Sequence, residues 1–486
     1  MEQPRRNIAG ARSRKRRVSD GNTPRASVSD GNTPRASVSD GNTPRASVSD
    51  GNTPRASDGN TPRASDGADD FPYKRLRPEM AREIETRFRA LAGYRPTFRA
   101  LAYTIKNAPE MALAQLRFCF AGARDPLIMV LAAEDYARYN LISDYFIEKY
   151  RVRAVRGDDP ARESVWDYWR ANRDDIMARA RKNARAVTHA AREIIYREKM
   201  EVGTFRPTVA CGIIWLLRAR MSARCDWILN PCAGWGDRLI GFMAAGARGS
   251  VDIDPNAELG AEYPRMREWC REQLLRACAE GTDGAGEQLL RACAEGTDGA
   301  GEQSRASDHR FQHTYFAQPF EDVPREEILG ALARMRGAYD GAEVAVEIAR
   351  DDGFDLALIA PPYFDLEIYV PNDTARTQSV SRYTSFEEWY ARFLLVALRK
   401  CGSLLRIGGV LALIINQSPP PGAVAGKAIH HKFLQRMISD MARGAGDARL
   451  RYLGVISYAE ILSRAAGDNP RVRSPQPIWI WQRERI

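Results

Sequence analysis

Histidine and lysine are scarce in this 486-residue sequence, with five His and only nine Lys among 72 basic residues. The eight cysteines stand singly, at positions 119, 211, 225, 232, 270, 278, 293 and 401, and none forms a Cys-x-x-Cys pair. That spacing argues against a structural zinc module and against a disulfide scaffold. No apolar run approaches the ~20 residues that cross a bilayer. The best candidates, Pro126–Ala133 and Val209–Leu217, are too short. The N-terminus is Arg-rich with no apolar stretch behind it, unlike a secretory signal peptide. The expectation is a soluble, intracellular chain with no membrane and no metal among its partners.

What is present begins with repeats. Ser19–Val28 reads SDGNTPRASV, recurs from Ser29 and Ser39, and shortens to SDGNTPRA from Ser49 and Ser57. The unit lacks apolar periodicity and is rich in Gly, Pro, Ser, Asn and Asp. It cannot offset its ordering entropy by burial, so residues 1–70 are expected to be a disordered tail. Each unit offers a Thr-Pro step for phosphorylation or is a duplicated spacer. Ahead of the array, Arg12–Arg17 with Arg5 and Arg6 forms a basic cluster. It suits nuclear import or nonspecific nucleic-acid contact, or is a solubilising tail. The net charge of +10 is spread thinly: residues 1–70 hold 12 basic and 9 acidic residues, leaving 60 and 53 for the rest. Charge alone is therefore poor evidence for a nucleic-acid partner.

Apolar residues at three- and four-residue spacing predict a helical region over residues 71–200, with helices at Pro78–Leu91, Glu110–Ala121, Glu134–Tyr150 and Ser164–Lys199. Arg181, Arg185, His189 and Arg192 could share one face of the last, as a phosphate-contacting stripe or as a solvated face. From Cys225 the rhythm becomes strand and helix in alternation. The strand candidates are Asp226–Leu229, Ser250–Ile253, His313–Ala317, Phe354–Ile359, Val410–Ile415, Leu450–Ile456 and Pro477–Trp481. This predicts an α/β fold with a doubly wound, mostly parallel sheet over residues 201–486, and a ligand beyond the carboxyl ends of the central strands. Glu272–Gly286 is repeated letter for letter at Glu287–Gly301 and reads as a tolerated surface insertion at 272–301, two short helical pieces with Gly-rich ends.

Three motifs carry chemistry. Ile228–Leu239 runs a strand into a turn, Asn230-Pro231-Cys232-Ala233-Gly234-Trp235-Gly236, and then into a helix at Asp237-Arg238. Gly234 and Gly236 allow a ligand close to the backbone, and the helix N-terminus favours an anionic group. Val251–Asn256 ends the next strand about twenty residues on, where Asp254 could accept hydrogen bonds from two ribose hydroxyls. Ile359–Tyr369 stops a strand at Ala360-Pro361-Pro362-Tyr363, followed by Asp365 and Glu367. The proline pair fixes a rim of outward carbonyls beside a ring suited to a flat, extruded base.

In this order, the three motifs resemble those of the Rossmann-like S-adenosylmethionine-dependent methyltransferases. Within them the chain is similar to nucleic-acid amino-methyltransferases with an Asp/Asn/Ser-Pro-Pro-Tyr/Phe signature, and to phage and large-DNA-virus DNA methylases of that type. The resemblance covers about residues 201–481. It implies a seven-stranded sheet in the order 3-2-1-4-5-7-6 and S-adenosylmethionine as cofactor. It also implies methylation of an adenine or cytosine amino group, in DNA rather than RNA. It places Phe205 and Pro207 near the methionine end. The glycine turn, Asn230, Asp237, Arg238 and Asp254 fall along the cofactor. Phe320 would stack on adenine, and Glu321 or Asp322 would meet its amino group. Pro361 would accept amino protons and Tyr363 would stack on the target base.

Two positions depart from the pattern. Ala360 stands where the signature has a side-chain acceptor, and Asn230 replaces the more usual acid. Loss of one oriented acceptor could cost on the order of 2–4 kcal/mol in the transition state. Asp365 or Glu367 could compensate. Otherwise the acceptor is a protein or small molecule, or the chain is a pseudo-enzyme that binds cofactor or nucleic acid without transfer.

Overall fold

A strand covered on both faces is apolar along nearly its whole length, and all six residues of Phe354–Ile359 are buried; the one polar residue, Asp355, pairs with Arg406 and accepts from Asp226 N and Trp227 N. Alternate side chains then enter opposite cores. Leu356 and Leu358 join one, Ala357 and Ile359 the other, as do Ile478 and Ile480 against Trp479 and Trp481.

The computed structural model describes residues 70–74, 78–92, 94, 97–100, 127–132, 142–156, 159, 161–183, 186–279, 311–340, 353–364, 367–370, 376–415, 433–443, 449–463, 471–472 and 476–485. The repeat array, the basic cluster, the predicted helix at Glu110–Ala121, residues 280–301 of the duplication and Asp365 lie outside them.

In chain order the strands are β1 (Thr97–Ala100), β2 (Leu127–Ala132), β3 (Val155–Arg156), β4 (Trp227–Pro231), β5 (Gly249–Ile253), β6 (Gln312–Phe316), β7 (Phe354–Ile359), β8 (Glu367–Ile368), β9 (Leu405–Ile414), β10 (Arg449–Ser463), β11 (Arg471–Val472) and β12 (Gln476–Glu484). The main sheet runs β6-β5-β4-β7-β9-β12-β10-β2-β1, with β11 beside β10. Strands β6, β5, β4, β7 and β9 are mutually parallel, and β12 is antiparallel to both neighbours. Numbered from β4 without β8 and β11, the first seven stand in the order 3-2-1-4-5-7-6. This is the α/β Rossmann-like class expected from the sequence.

One face is covered by helices Pro78–Ala92, Pro207–Met221, Asp237–Ala244 and Glu262–Ala279. The other carries Arg325–Asp340, the segment from Phe386 to Leu404, and Phe433–Arg443. The side chain missing at Gly241 lets two helices meet: a Cβ there would lie 2.6 Å from Ala210 Cβ and 2.7 Å from Pro207 O. This draws the Phe205–Pro207 approach against the helix that follows the glycine turn.

Three expectations are corrected. The region 71–200 is not wholly helical. Leu127–Ala132, a continuous apolar run, is a strand parallel to β10, and Thr97–Ala100 pairs antiparallel to it. A six-residue apolar run without alternation fits either state, and the partner strand, far along the chain, decides it. The predicted helix Ser164–Lys199 is two, Val165–Asn183 and Val187–Glu198, which bury Trp169, Ile176 and Ile195 between them and Phe71. The first eight residues of the duplicated unit are helical as expected but do not form a separate surface piece, since 272–279 complete the helix Glu262–Ala279, with Gln273 buried.

Candidate active site

Strands β4, β5, β6 and β7 are parallel in adjacent register, so their carboxyl ends fall on one rim. Pro231, Ile253, Phe316 and Ile359 end there, and each is followed by one of the segments singled out in the sequence.

The turn after β4 is built on left-handed backbone. Cys232, Gly234 and Gly236 have φ of 57°, 63° and 84°. At Gly234 a Cβ would sit in ordinary contact with Arg238 Nη2 and Cys232 O, both 3.9 Å away, so it is the positive φ and not a lack of room that calls for glycine. At Gly236 it would strike Met266 Cε at 2.4 Å, so this glycine serves packing. The turn is fastened to the rim: Ala233 N donates to Ile253 O at 2.9 Å, and Tyr263 Oη donates to Gly234 O at 2.9 Å.

Asp254 occupies the end of β5 as expected. Its Oδ2 accepts from Gly234 N at 2.8 Å and its Oδ1 from Asn256 N at 3.0 Å. Burial raises its carboxyl above the ordinary range, while those two amides pull it back. Each oxygen retains acceptor capacity after one hydrogen bond. Tyr315 Oη donates to Asn256 O at 2.9 Å and fixes the chain around it.

Asn230 and Arg238 are buried and spend their polar atoms internally. Asn230 Nδ2 donates to Asp252, Arg238 Nε donates to Asn230 Oδ1 at 2.7 Å, and Arg238 also bonds Cys232 O. The Arg238 guanidinium lies 4.9 Å over the Phe205 ring, joining the Phe205–Pro207 approach to the turn. Asp237, at the first turn of its helix, is buried; its Oδ1 accepts from Ser143 Oγ at 2.5 Å. Its Oδ2 has no hydrogen-bond partner among the described residues, and neither has Trp235 Nε1. Burial, first of all, pushes the Asp237 carboxyl up to about 7.

The segment after β6 differs from the expectation. Phe320 is 2% exposed and packs in the core, with Lys400 Nζ 4.7 Å from its ring centre. Its face is covered and not open for stacking. Lys400 Nζ donates to Phe320 O at 2.5 Å and holds the turn. Asp322 forms a two-bond pair with Arg382, at 2.6 and 3.0 Å, and Glu321 accepts from Tyr383 Oη at 2.7 Å. Both carboxylates are therefore engaged within the protein. Pro319, Asp322, Arg376, Thr377 and Arg382 line a cleft of about 370 Å³ beside this turn.

The Pro-Pro-Tyr loop reaches the glycine turn. Tyr369 meets Trp235 edge-on at 5.7 Å between ring centres. Ala360 and Tyr369 pack on one core, Tyr363 and Phe364 on the other; Pro361 is buried and Pro362 partly so. Gln378 clasps the loop's far side: its Oε1 accepts from Tyr369 N at 3.0 Å, and its Nε2 donates to Val370 O. Glu367 lies in β8, paired with Arg156 of β3. Sequence reasoning missed Ser143, Tyr263, Tyr315 and Lys400.

No family model matches the sequence, and no curated protein matches it. Solved structures do. An rRNA methylase from Streptococcus thermophilus is 8% identical, with 55% of this chain and 96% of that one covered and a TM-score of 0.23. The rRNA methyltransferase aviRa from Streptomyces viridochromogenes is 13% identical over 58% and 86%, with a TM-score of 0.25. Precorrin-6y C5,15-methyltransferase from Geobacter metallireducens GS-15 is 8% identical over 57% and 86%, with a TM-score of 0.25. The fold assignment stands on the strand order given above.

Among the described residues, no group of three His, Cys, Asp or Glu could hold a metal ion, and no helix is long and apolar enough to cross a membrane.

Proposed function

We propose that the chain is an S-adenosylmethionine-dependent methyltransferase acting on an amino group of adenine or cytosine in nucleic acid, DNA before RNA. The observation that carries this reading is the Trp235–Tyr369 contact, which joins a glycine turn to a Pro-Pro-Tyr loop at the carboxyl rim of a parallel sheet. The residues present fit the cofactor in two respects. Asp254 keeps acceptor capacity for two ribose hydroxyls. The buried Asp237 Oδ2, without a partner, suits the cationic end of the molecule. Phe320, covered by Lys400, does not fit as an adenine platform, and Asp322 would have to release Arg382 to meet the adenine amino group.

When bound, S-adenosylmethionine supplies a methyl already activated on a sulfonium, which leaves positioning as the main task of the protein. Asp254 would orient the ribose and the 234–236 turn would follow the chain of the cofactor. The Pro361 carbonyl would accept a proton of the target amino group, and Tyr363 would lie against the base and hold it in plane. Ala360 contributes no side-chain acceptor. That observation favours a second reading, in which the acceptor is a protein or small molecule, or in which the chain binds without transferring. The region 71–200 would contribute to substrate choice or cap the sheet, and the Arg12–Arg17 cluster would direct nuclear import or touch nucleic acid.

Incubation of the purified protein with methyl-labelled cofactor and DNA, RNA or protein extract tests this. The reading expects label in DNA. Label confined to protein transfers support to the second reading, and binding without any label points to a pseudo-enzyme.

A further inference from the structure

Residues 143–156 touch the glycine-turn helix, the helix after the Asp254 turn, the chain leading to Phe205 and the Pro-Pro-Tyr loop. Ser143 Oγ donates to Asp237 at the glycine-turn helix, both groups being buried. Lys149 and Tyr150 engage Glu262, which opens the helix following the Asp254 turn, at 2.8 and 3.2 Å. Arg151 pairs with Glu201, at the start of the chain leading to Phe205, at 3.2 Å. Strand β3 pairs with β8 in the Pro-Pro-Tyr loop, Val155 opposite Ile368 and Arg156 opposite Glu367. The helix Asp144–Arg151 links these contacts and is held rigidly by its own charges. Arg151 bonds Asp144 at 2.6 Å, Lys74 also reaches Asp144, and Glu148 takes Arg192 and, at 2.8 Å, Tyr196.

We propose that this stretch is a positioning element of the transfer site, with Ser143 as the positioning residue that acts on the cofactor through Asp237. The inference rests on the methyltransferase reading. It makes part of the N-terminal region a component of the cofactor site, not only of substrate choice. The Ser143 hydroxyl orients Asp237 Oδ1, which leaves Oδ2 for the ligand. The charged groups facing Asp237 are Asp144 and Arg151 from this stretch and Arg238 from its own helix. A hydroxyl bond to the ionised carboxylate favours its charged form.

The full-length protein and its Ser143→Ala variant are titrated calorimetrically with S-adenosylhomocysteine between pH 6 and 8.5. Ser164→Ala, which removes a similar bond to Asp167 away from the site, is the control. Binding by Ser143→Ala should weaken about five- to tenfold, the scale of one hydrogen bond felt at one remove. Its pH dependence should move to higher pH, and Ser164→Ala should match the wild type. Without ligand, amide hydrogen exchange at 234–240 and 367–370 should quicken in Ser143→Ala. Unchanged binding and exchange in Ser143→Ala would overturn the proposal. A wild type that does not bind overturns the methyltransferase reading instead, and the exchange result then decides separately whether the stretch holds the two loops.

Discussion

Asp144 and Asp237 are both buried aspartates, joined through the neighbouring Ser143, yet their carboxyls shift in opposite directions. Burial raises both. At Asp144 the cations Arg151 and Lys74 outweigh it and hold the carboxyl below its ordinary value. At Asp237 they do not, and it rises to about 7. The contrast separates two kinds of region. The cluster around Asp144 pairs its charges with one another and works as a fastening, although Arg151 Nε and Glu201 Oε2 lack a hydrogen bond among the described residues. At the glycine turn Asp237 Oδ2 and Trp235 Nε1 lack one too, and there burial prevails over the nearby cations, which is costly for a finished core but useful where a ligand completes the bonding.

The comparison can be broken from the fastening side first. Arg151→Met takes the shared buried counter-charge from Asp144 and Glu201, leaving Asp144 with Lys74. Denaturant unfolding should show a loss of about 3–5 kcal/mol. On the ligand side, Asp254→Ala should weaken cofactor binding by roughly 100-fold, the scale of two hydrogen bonds to a charged group, in a calorimetric titration. The unfolding midpoint should also fall, though less than in Arg151→Met, because the Gly234 and Asn256 amides lose their acceptor. Tyr363→Ala should leave cofactor affinity alone and lower turnover about tenfold, the scale of one base-stacking contact. Intact turnover in that variant would mean that the ring does not stack on the substrate.

A further effect sharpens the contrast through pH. The folded protein keeps the Asp237 proton up to about pH 7, whereas the unfolded chain releases it near the reference value of 3.8. Between those values the native state binds more protons, so this group's contribution to stability declines as pH rises and then levels off. Asp144 has the opposite sign: its contribution is present above 3.8 and is lost as pH falls below it. Asp237→Asn should therefore gain on the wild type in thermal unfolding at pH 8 relative to pH 5. A gap that is the same at both values would show that Asp237 is ionised throughout.

The sheet was legible because its strands are short apolar runs at regular spacing with turn residues between them, from Asp226–Leu229 to Pro477–Trp481. Local signals failed where distant partners decide. Leu127–Ala132 reads as either state until β10 is known. Arg192 sits on a helix face that looks solvated, yet it is mostly buried against Glu148, so the proposed basic stripe loses one of its members. Of the site, Asp254 and the aromatic loop could be read from strand ends. Phe320 misled because an aromatic after a strand looks like a platform, and only Lys400, eighty residues on, shows that it is covered. Ser143 carries no motif, and its role comes from packing alone.

The most direct test of the central claim is a calorimetric titration of the full-length protein with S-adenosylhomocysteine, beside Asp254→Ala. The account predicts saturable one-to-one binding by the wild type and near loss of it in the variant. An absence of binding by a folded wild type, or equal binding by both, would contradict it.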